Sequence, residues 1–462
     1  MNLEKWLYLA SWVVWTAFMF LPAMHERYDY AAIILISAFT WMHRKDSNMK
    51  ILIVNKFLYP NGGSETYIFG IGEQLRKMGH EVQYFGMEHE GRIVGNHADS
   101  YTEPIDFHER RLRTLAYPFK IIYSKEARQK IRVVLEDFHP DVVHLNNINF
   151  QLTPSVIDEV KAFDPSIRIV YTAHDMQWVC PNHMMRVPAT GELCRKCLDG
   201  DFRFCTQQRC IHNSRLRSLI GQKEAEFYRK RHTYRQVDTI ICPSNFIRRL
   251  LETNPDLNGR CVTLHNFANL NPDRTRGDVL PELLRGIGPY VLYYGRYDQE
   301  KGVNLVLEAA KRLPEIPFVL AGKGELQEQV EAAAGAGKEQ TLINLGFLGG
   351  EPLYSVIRHA AFTVFPSTWY ENYPYSVLEP ILLGVPVIGS RIGGVPEIIK
   401  EGVTGDLFEA GNCRELTEKI NALWKDRERQ EQYRGNCLEE HFDTPEEYCG
   451  ELVKIYQLEY KL

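Results

Sequence analysis

From Met49 onward the chain repeats one local pattern, and this repetition restricts its fold more than any other feature. A short apolar run leads into a turn-rich loop, and the loop leads into a helical stretch. Residues 50–54, 81–85, 141–145, 168–173 and 238–242 are such runs. They are too short for core helices and too evenly apolar for strands with one wet face, so they read as strands buried on both sides. A break rich in Asn, Asp, Pro and Gly follows over 271–288. The alternation then restarts at 290–294, 317–321, 341–345, 361–365 and 386–389. Such alternation predicts an open parallel sheet with helices on both faces. Its double occurrence predicts two α/β units, over 49–270 and 289–440, with 441–462 as an amphipathic helix packed back on the first unit. Ser64 is expected to cap a helix that buries Ile68, Ile71 and Leu75 and stops at Gly79.

Residues 1–48 differ in kind. Residues 6–24 carry no charged side chain, and the run is near the roughly 20 residues that cross a bilayer. A shorter apolar run over 31–42 ends in His43-Arg44-Lys45. Two readings compete. One is a membrane anchor or hairpin whose basic end keeps the main body cytoplasmic, at the inner face of the cell membrane. The other is upstream sequence ahead of a natural start at Met49. The small-residue cleavage pattern of a secretory signal is missing. A formal net charge of -5 argues against sequence-independent nucleic-acid binding, which needs a basic excess.

In a doubly wound sheet the ligand crevice lies beyond the carboxyl ends of the strands. Two carboxylates fall in that zone: Glu371 in the loop after the run 361–365, and Glu379 in the helix that follows. A single Glu is ordinarily a solvated acid. A pair placed here can accept hydrogen bonds from the hydroxyls of a sugar and a ribose. Arg296 and Lys301 stand at a strand end and a helix start, where cations and helix-terminal amides together suit a diphosphate. Gly393 and Gly394 are expected to bring backbone amides to a ligand at another helix start. His174 ends the run 168–173; a histidine there is ordinarily a satisfied structural group, but this one faces the crevice. Ser244-Asn245 reads first as a helix cap and second as part of a site.

The segments GRYDQEKG, AGKGE, FPSTWYENYPYSVLEP, GVPVIGS and GGVPEII, within residues 290–405, resemble the donor domain of retaining glycosyltransferase family 4. Residues 49–90 match as well, with Gly62-Gly63-Ser64-Glu65 in the first loop. The resemblance implies a GT-B fold, two Rossmann-like domains with a donor cleft between them. It implies that Arg296 and Lys301 hold the diphosphate, aided by the Gly63 amide from across the cleft. It places Glu379 on the ribose, Glu371 on the donor sugar, amides near Asn372 and Tyr373 in the same pocket, and His174 beside the donor. Asn372-Tyr373 departs from the Gly-Phe that family members often carry, which bears on the sugar more than on the reaction. The implied partners are a nucleotide-sugar donor, UDP-linked by family frequency, and a glycan or lipid-linked acceptor of cell-surface polysaccharide. The implied course is retention through an oxocarbenium-like state, the leaving diphosphate deprotonating the acceptor. No Asp-x-Asp motif stands in a donor-site context, so no catalytic metal or other cofactor is implied. Other occupants of this fold are a nucleotide-sugar epimerase, a phosphorylase, for whose pyridoxal lysine there is no signal, and an inactive sugar-binding scaffold.

Five of the ten cysteines fall between Cys180 and Cys210, in an insert over 176–213. Cys180, Cys194, Cys197 and Cys210, with His183 or Cys205 as substitutes, have the ligand types and rough spacing of a structural zinc site. An iron–sulfur cluster, a redox pair and free thiols are the competing readings. Between Arg110 and Arg132 eight basic residues accompany one acid, Glu126, with Leu112, Leu115, Phe119, Ile121 and Ile122 interleaved. This reads either as a solvated helix or as a surface for anionic lipid.

Overall fold

The computed structural model describes residues 48–104, 122–267, 270, 280–335 and 341–457. The N-terminal hydrophobic segment and residues 105–121, which include the first half of the basic stretch, lie outside them. Among the described residues no helix is long and apolar enough to cross a membrane. In the described part of the basic stretch the apolar residues turn inward while Lys125 and Lys130 stay exposed. The helix Lys125–Phe138 buries Ala127, Ile131, Val134, Leu135 and Phe138. Its Arg128 and Arg132 both pair with Glu159 of the neighbouring helix Ser155–Phe163.

Two six-stranded parallel sheets form the molecule. The first holds β1 (Lys50–Val54), β2 (Glu81–Phe85), β3 (Val142–Leu145), β4 (Arg168–Thr172), β5 (Thr239–Cys242) and β6 (Cys261–Thr263), in the order β2-β1-β3-β4-β5-β6. The second holds β7 (Val291–Tyr294), β8 (Phe318–Ala321), β9 (Leu342–Asn344), β10 (Phe362–Phe365), β11 (Val387–Ser390) and β12 (Gly405–Phe408), in the order β12-β11-β10-β7-β8-β9. The order reverses between β1 and β3 in one sheet and between β7 and β10 in the other. At such a reversal the loops part in opposite directions and leave a crevice at the carboxyl ends of the strands. Side chains alternate across β1: Leu52 and Val54 enter one core layer, Ile51 and Ile53 the other. Burial on both faces is why these strands read as unbroken apolar runs.

The edge strands β6 and β12 are not legible as apolar runs, being short or, in β12, opened by Gly405-Asp406. Ser64 does not cap the first helix. That helix spans Gly63–Lys77 with Gly62 as its N-cap and no side-chain cap bond, and the Ser64 hydroxyl goes to Glu65 instead. A cap must precede the first helical turn, and Ser64 already lies inside it. The helix does bury Ile68, Ile71 and Leu75, and it stops at Met78 and Gly79, the latter at φ +93°. The helix Pro445–Tyr456, opened by a capping box from Thr444 and Glu447, packs on Gly63–Lys77. Its Tyr448 hydroxyl meets that of Tyr67 at 2.8 Å, and its Tyr456 hydroxyl meets His144 Nδ1 at 2.6 Å.

Candidate functional site

A cleft of about 530 Å³ opens where the carboxyl ends of the two sheets face each other. The loops at both points of strand-order reversal enter it. Gly63 and Ser64 follow β1, Asn147 follows β3, Gly295 and Lys301 follow β7, and Trp369 to Glu371 follow β10.

Glu371 is the centre of the second unit's wall. Its side chain is 8% exposed, and Oε1 takes three donors: Lys301 Nζ at 2.7 Å, Ser367 Oγ at 2.7 Å and Trp369 Nε1 at 2.5 Å. Lys301 also lies over the Trp369 ring, 5.0 Å from its centroid. All three donors address one oxygen, which leaves Oε2 outside this cluster. The loop carrying Glu371 rests on Gly393 and Gly394. A Cβ on Gly393 would come within 2.1 Å of the Glu371 carbonyl, and one on Gly394 within 1.8 Å of the Asn372 carbonyl. The Gly394 amide donates to Glu371 O at 2.9 Å. These glycines therefore support the site loop from beneath. The Gly394 amide is taken by that loop, and neither glycine is among the residues lining the cleft.

Glu379 lines the cleft one helical turn deeper, on the helix Tyr375–Leu382. It accepts from the Tyr294 hydroxyl at 3.2 Å, and burial raises its carboxyl to about 7. Opposite, the amino end of Gly63–Lys77 points into the cleft, with Gly63 against the Tyr375 ring; a Cβ there would sit 3.6 Å from Tyr375 Cδ2. Two buried cleft-lining atoms, Tyr375 Oη and Asn266 Oδ1, have no hydrogen-bond partner among the described residues. Such atoms are costly unless a ligand or water meets them.

His174 sits at the end of β4, edge-on to Tyr67. Burial lowers its pKa to about 4, so the ring is neutral at physiological pH. Its Nε2 meets Asn146 Oδ1 at 2.8 Å, while the amide nitrogen of Asn146 donates to the carbonyls of Val54 and His144. The Asn146 orientation makes its oxygen the acceptor. Nε2 therefore carries the proton and Nδ1 is left as a base.

The remaining positions separate. Asn372 bridges the units: its Nδ2 donates to Ala173 O at 2.9 Å, and Ser244 Oγ donates to its Oδ1 at 3.1 Å. Ser244 at the same time caps the helix Asn245–Leu251. Tyr373 lines the cleft and stacks on His265. Arg296 is not brought into the cleft wall. Its side chain is 58% exposed and held by Asp298 at 2.7 Å. His183, a substitute ligand in the sequence reading, lines the cleft beside Asp175 and not the cavity among the cysteines. Residues that sequence reasoning missed include Ser367 and Trp369, although both stand in the quoted motif. It also missed Asn146, in a polar pair just past β3. Glu397 gave no signal as an inter-unit contact, yet it accepts the backbone N–H groups of Asn245 and Phe246, each at 2.7 Å.

Two parallel-sheet units closing on a charged cleft are the GT-B architecture of glycosyltransferases. Anabaena HepE, solved in complex with UDP, shares it with a TM-score of 0.60 over 89% of this chain and 100% of that one, at 16% identity. Residues 61–271 match the family model Glycosyltransferase Family 4, and residues 282–438 match Glycosyl transferases group 1. The chain belongs to glycosyltransferase family 4, whose two models lie one on each unit. An uncharacterized glycosyltransferase of Methanocaldococcus jannaschii is 29% identical over 215 residues, 46% of this chain and 57% of that protein. The O-antigen chain mannosyltransferase C of Escherichia coli is 28% identical over 172 residues, 36% of this chain and 46% of that one. The chain thus spans about half the length of these curated relatives.

Proposed function

We propose that the protein is a retaining glycosyltransferase that moves a sugar from a nucleotide-sugar donor, a UDP-sugar first among them, to a glycan or lipid-linked acceptor. The observation that carries this reading is the Lys301–Glu371 pair set across the cleft from the amino end of the helix Gly63–Lys77. A diphosphate between them meets an ammonium on one side and helix-terminal amides on the other. As the bond to the sugar breaks, negative charge grows on the diphosphate, and these fixed groups stabilise it without moving. Arg296 joins them only by releasing Asp298. Charge stabilisation in this scheme comes from side chains and amides, with no metal in the reaction.

Glu371 is held by three donors through one oxygen, which suits its other oxygen to orient a hydroxyl of the transferred sugar. The neutral His174, with Nδ1 free to accept, serves the sugar from the first unit. Glu379 takes the ribose. Retention follows from the leaving diphosphate removing the acceptor proton on the face it departs from. HepE's complex with UDP supports the choice of base, and the O-antigen mannosyltransferase supports a role in cell-surface polysaccharide. The test is a thermal-shift screen against UDP-, GDP- and ADP-sugars, followed by NMR of the anomeric centre in the product. Stabilisation by UDP-sugars and a retained anomer are expected. No stabilisation and no turnover with any donor would sink the transferase reading, and an inverted anomer would sink retention.

A further inference from the structure

Chain topology brings five cysteines from four separate stretches of the insert around one small cavity. Cys180 follows β4, Cys194 and Cys197 flank the turn Arg195-Lys196, Cys205 lies on the short helix Arg203–Gln207, and Cys210 follows it. All five line a space of about 10 Å³, room for one water-sized centre. The rest of its lining is largely apolar, including Val179, Met185 and Phe204. Cys197 and Cys205 are buried there, and Cys180, Cys194 and Cys210 are partly buried. Cations also stand close. Arg186 and Arg195 line the cavity, and Lys196 lies in the turn between the paired cysteines.

We propose that the insert is a structural zinc site in which Cys180, Cys194, Cys197 and Cys210 hold one ion. Cys205, buried among the same residues, is the fifth thiol of the cavity. Four thiolates on one zinc leave a net charge of about -2, which the two arginines and Lys196 offset. Tetrahedral zinc–sulfur bonds of about 2.3 Å set the sulfurs ~3.8 Å apart. Among the described residues the group whose ligand atoms all lie within 4.8 Å of one another is the exposed His441, Asp443 and Glu447, not the thiols. Binding therefore has to draw the sulfurs inward around the cavity. Cys180 Sγ then gives up the hydrogen bond it donates to Asn182 Oδ1 at 2.9 Å.

The site has a structural consequence for the cleft. The insert has little regular structure, yet it presents His183 and Met184 to the cleft wall and reaches the second unit through Arg186–Glu300 and Arg195–Tyr370. A metal cross-link between its two ends holds those contacts in place where its small core, Cys197, Phe202 and Cys205, is weak.

The test is metal analysis of the full chain, untagged, prepared with reductant and without chelator. About one zinc per chain is expected, lost in Cys194→Ser/Cys197→Ser and kept in Cys413→Ser, which lies outside the insert. Should the double variant misfold, cobalt exchanged into the unaltered chain gives the second readout. Strong thiolate-to-cobalt charge-transfer absorption and tetrahedral d–d bands are expected. A chain without zinc overturns the proposal. So do zinc retained by the double variant, iron with acid-labile sulfide, and cobalt spectra lacking thiolate bands. No sugar enters these measurements, so their failure is separate from any failure of the transferase reading.

Discussion

Glu379 gives the sharpest test of the proposed nucleotide site. Burial holds its carboxyl at about 7 against an ordinary 4.5, with one hydrogen bond, from Tyr294, acting the other way. Ribose hydroxyls that donate to the carboxylate favour its charged form, so binding must lower this pKa. Affinity then rises with pH and levels off above the free-protein value. With the bound form ionised throughout, the competent fraction changes about tenfold between pH 6 and pH 8, equivalent to about 1.4 kcal/mol. His174, lowered to about 4, lies outside this window. Stability without ligand moves the opposite way. The folded chain keeps the Glu379 proton where the unfolded chain has lost it, so stability declines as pH rises from about 4.5 to 7. Calorimetry should use a nucleotide sugar, because the terminal phosphate of a free diphosphate titrates near 6 in the same window. The expected result is a tenfold fall in affinity from pH 8 to pH 6 that Glu379→Gln abolishes. Constant affinity over that range, or the same slope in Glu379→Gln, refutes the assignment to the ribose.

Three further outcomes follow from the geometry. Lys301→Ala should lower turnover by about 10²–10³, while Arg296→Ala, exposed and held by Asp298, should cost less than about tenfold; equal losses would mean that Arg296 swings into the cleft. Glu371→Gln should lower kcat and leave affinity for the free nucleotide nearly unchanged, as checked by calorimetry beside steady-state kinetics; a loss of nucleotide affinity there would reverse the roles of the two glutamates. Gly393→Ala, at φ +59° and with its Cβ directed at the Glu371 carbonyl, should cut turnover more than about tenfold while circular dichroism stays unchanged; full activity would show that the Glu371 loop does not depend on this support.

Much of the architecture was legible because parallel strands covered on both faces must be apolar along their length. That constraint marked β1 to β5 and β7 to β11 to within a residue or two. It did not mark β6, only three residues long, or β12, whose run is opened by Gly405-Asp406. Glu371 and Lys301 were legible because loops at strand ends in this topology face a crevice, and Glu379 because it stands in the first turns of the helix that follows such a loop. Arg296 followed the same logic and is not in the cleft wall, because a local ion pair with Asp298 decides its direction.

What the sequence by itself determined is the alternation, hence two doubly wound units, and the chemical types gathered at their strand ends. Tertiary structure alone decided which groups meet. Ser367 and Trp369 joining Lys301 on one oxygen of Glu371, Asn146 fixing the His174 tautomer and Glu397 capping a helix of the other unit are all examples. Local patterning is governed by burial, which each short segment records in its own composition. Hydrogen bonds depend on distance and direction between atoms, and for residues as far apart as Glu397 and Asn245 only the packing of the two sheets sets those.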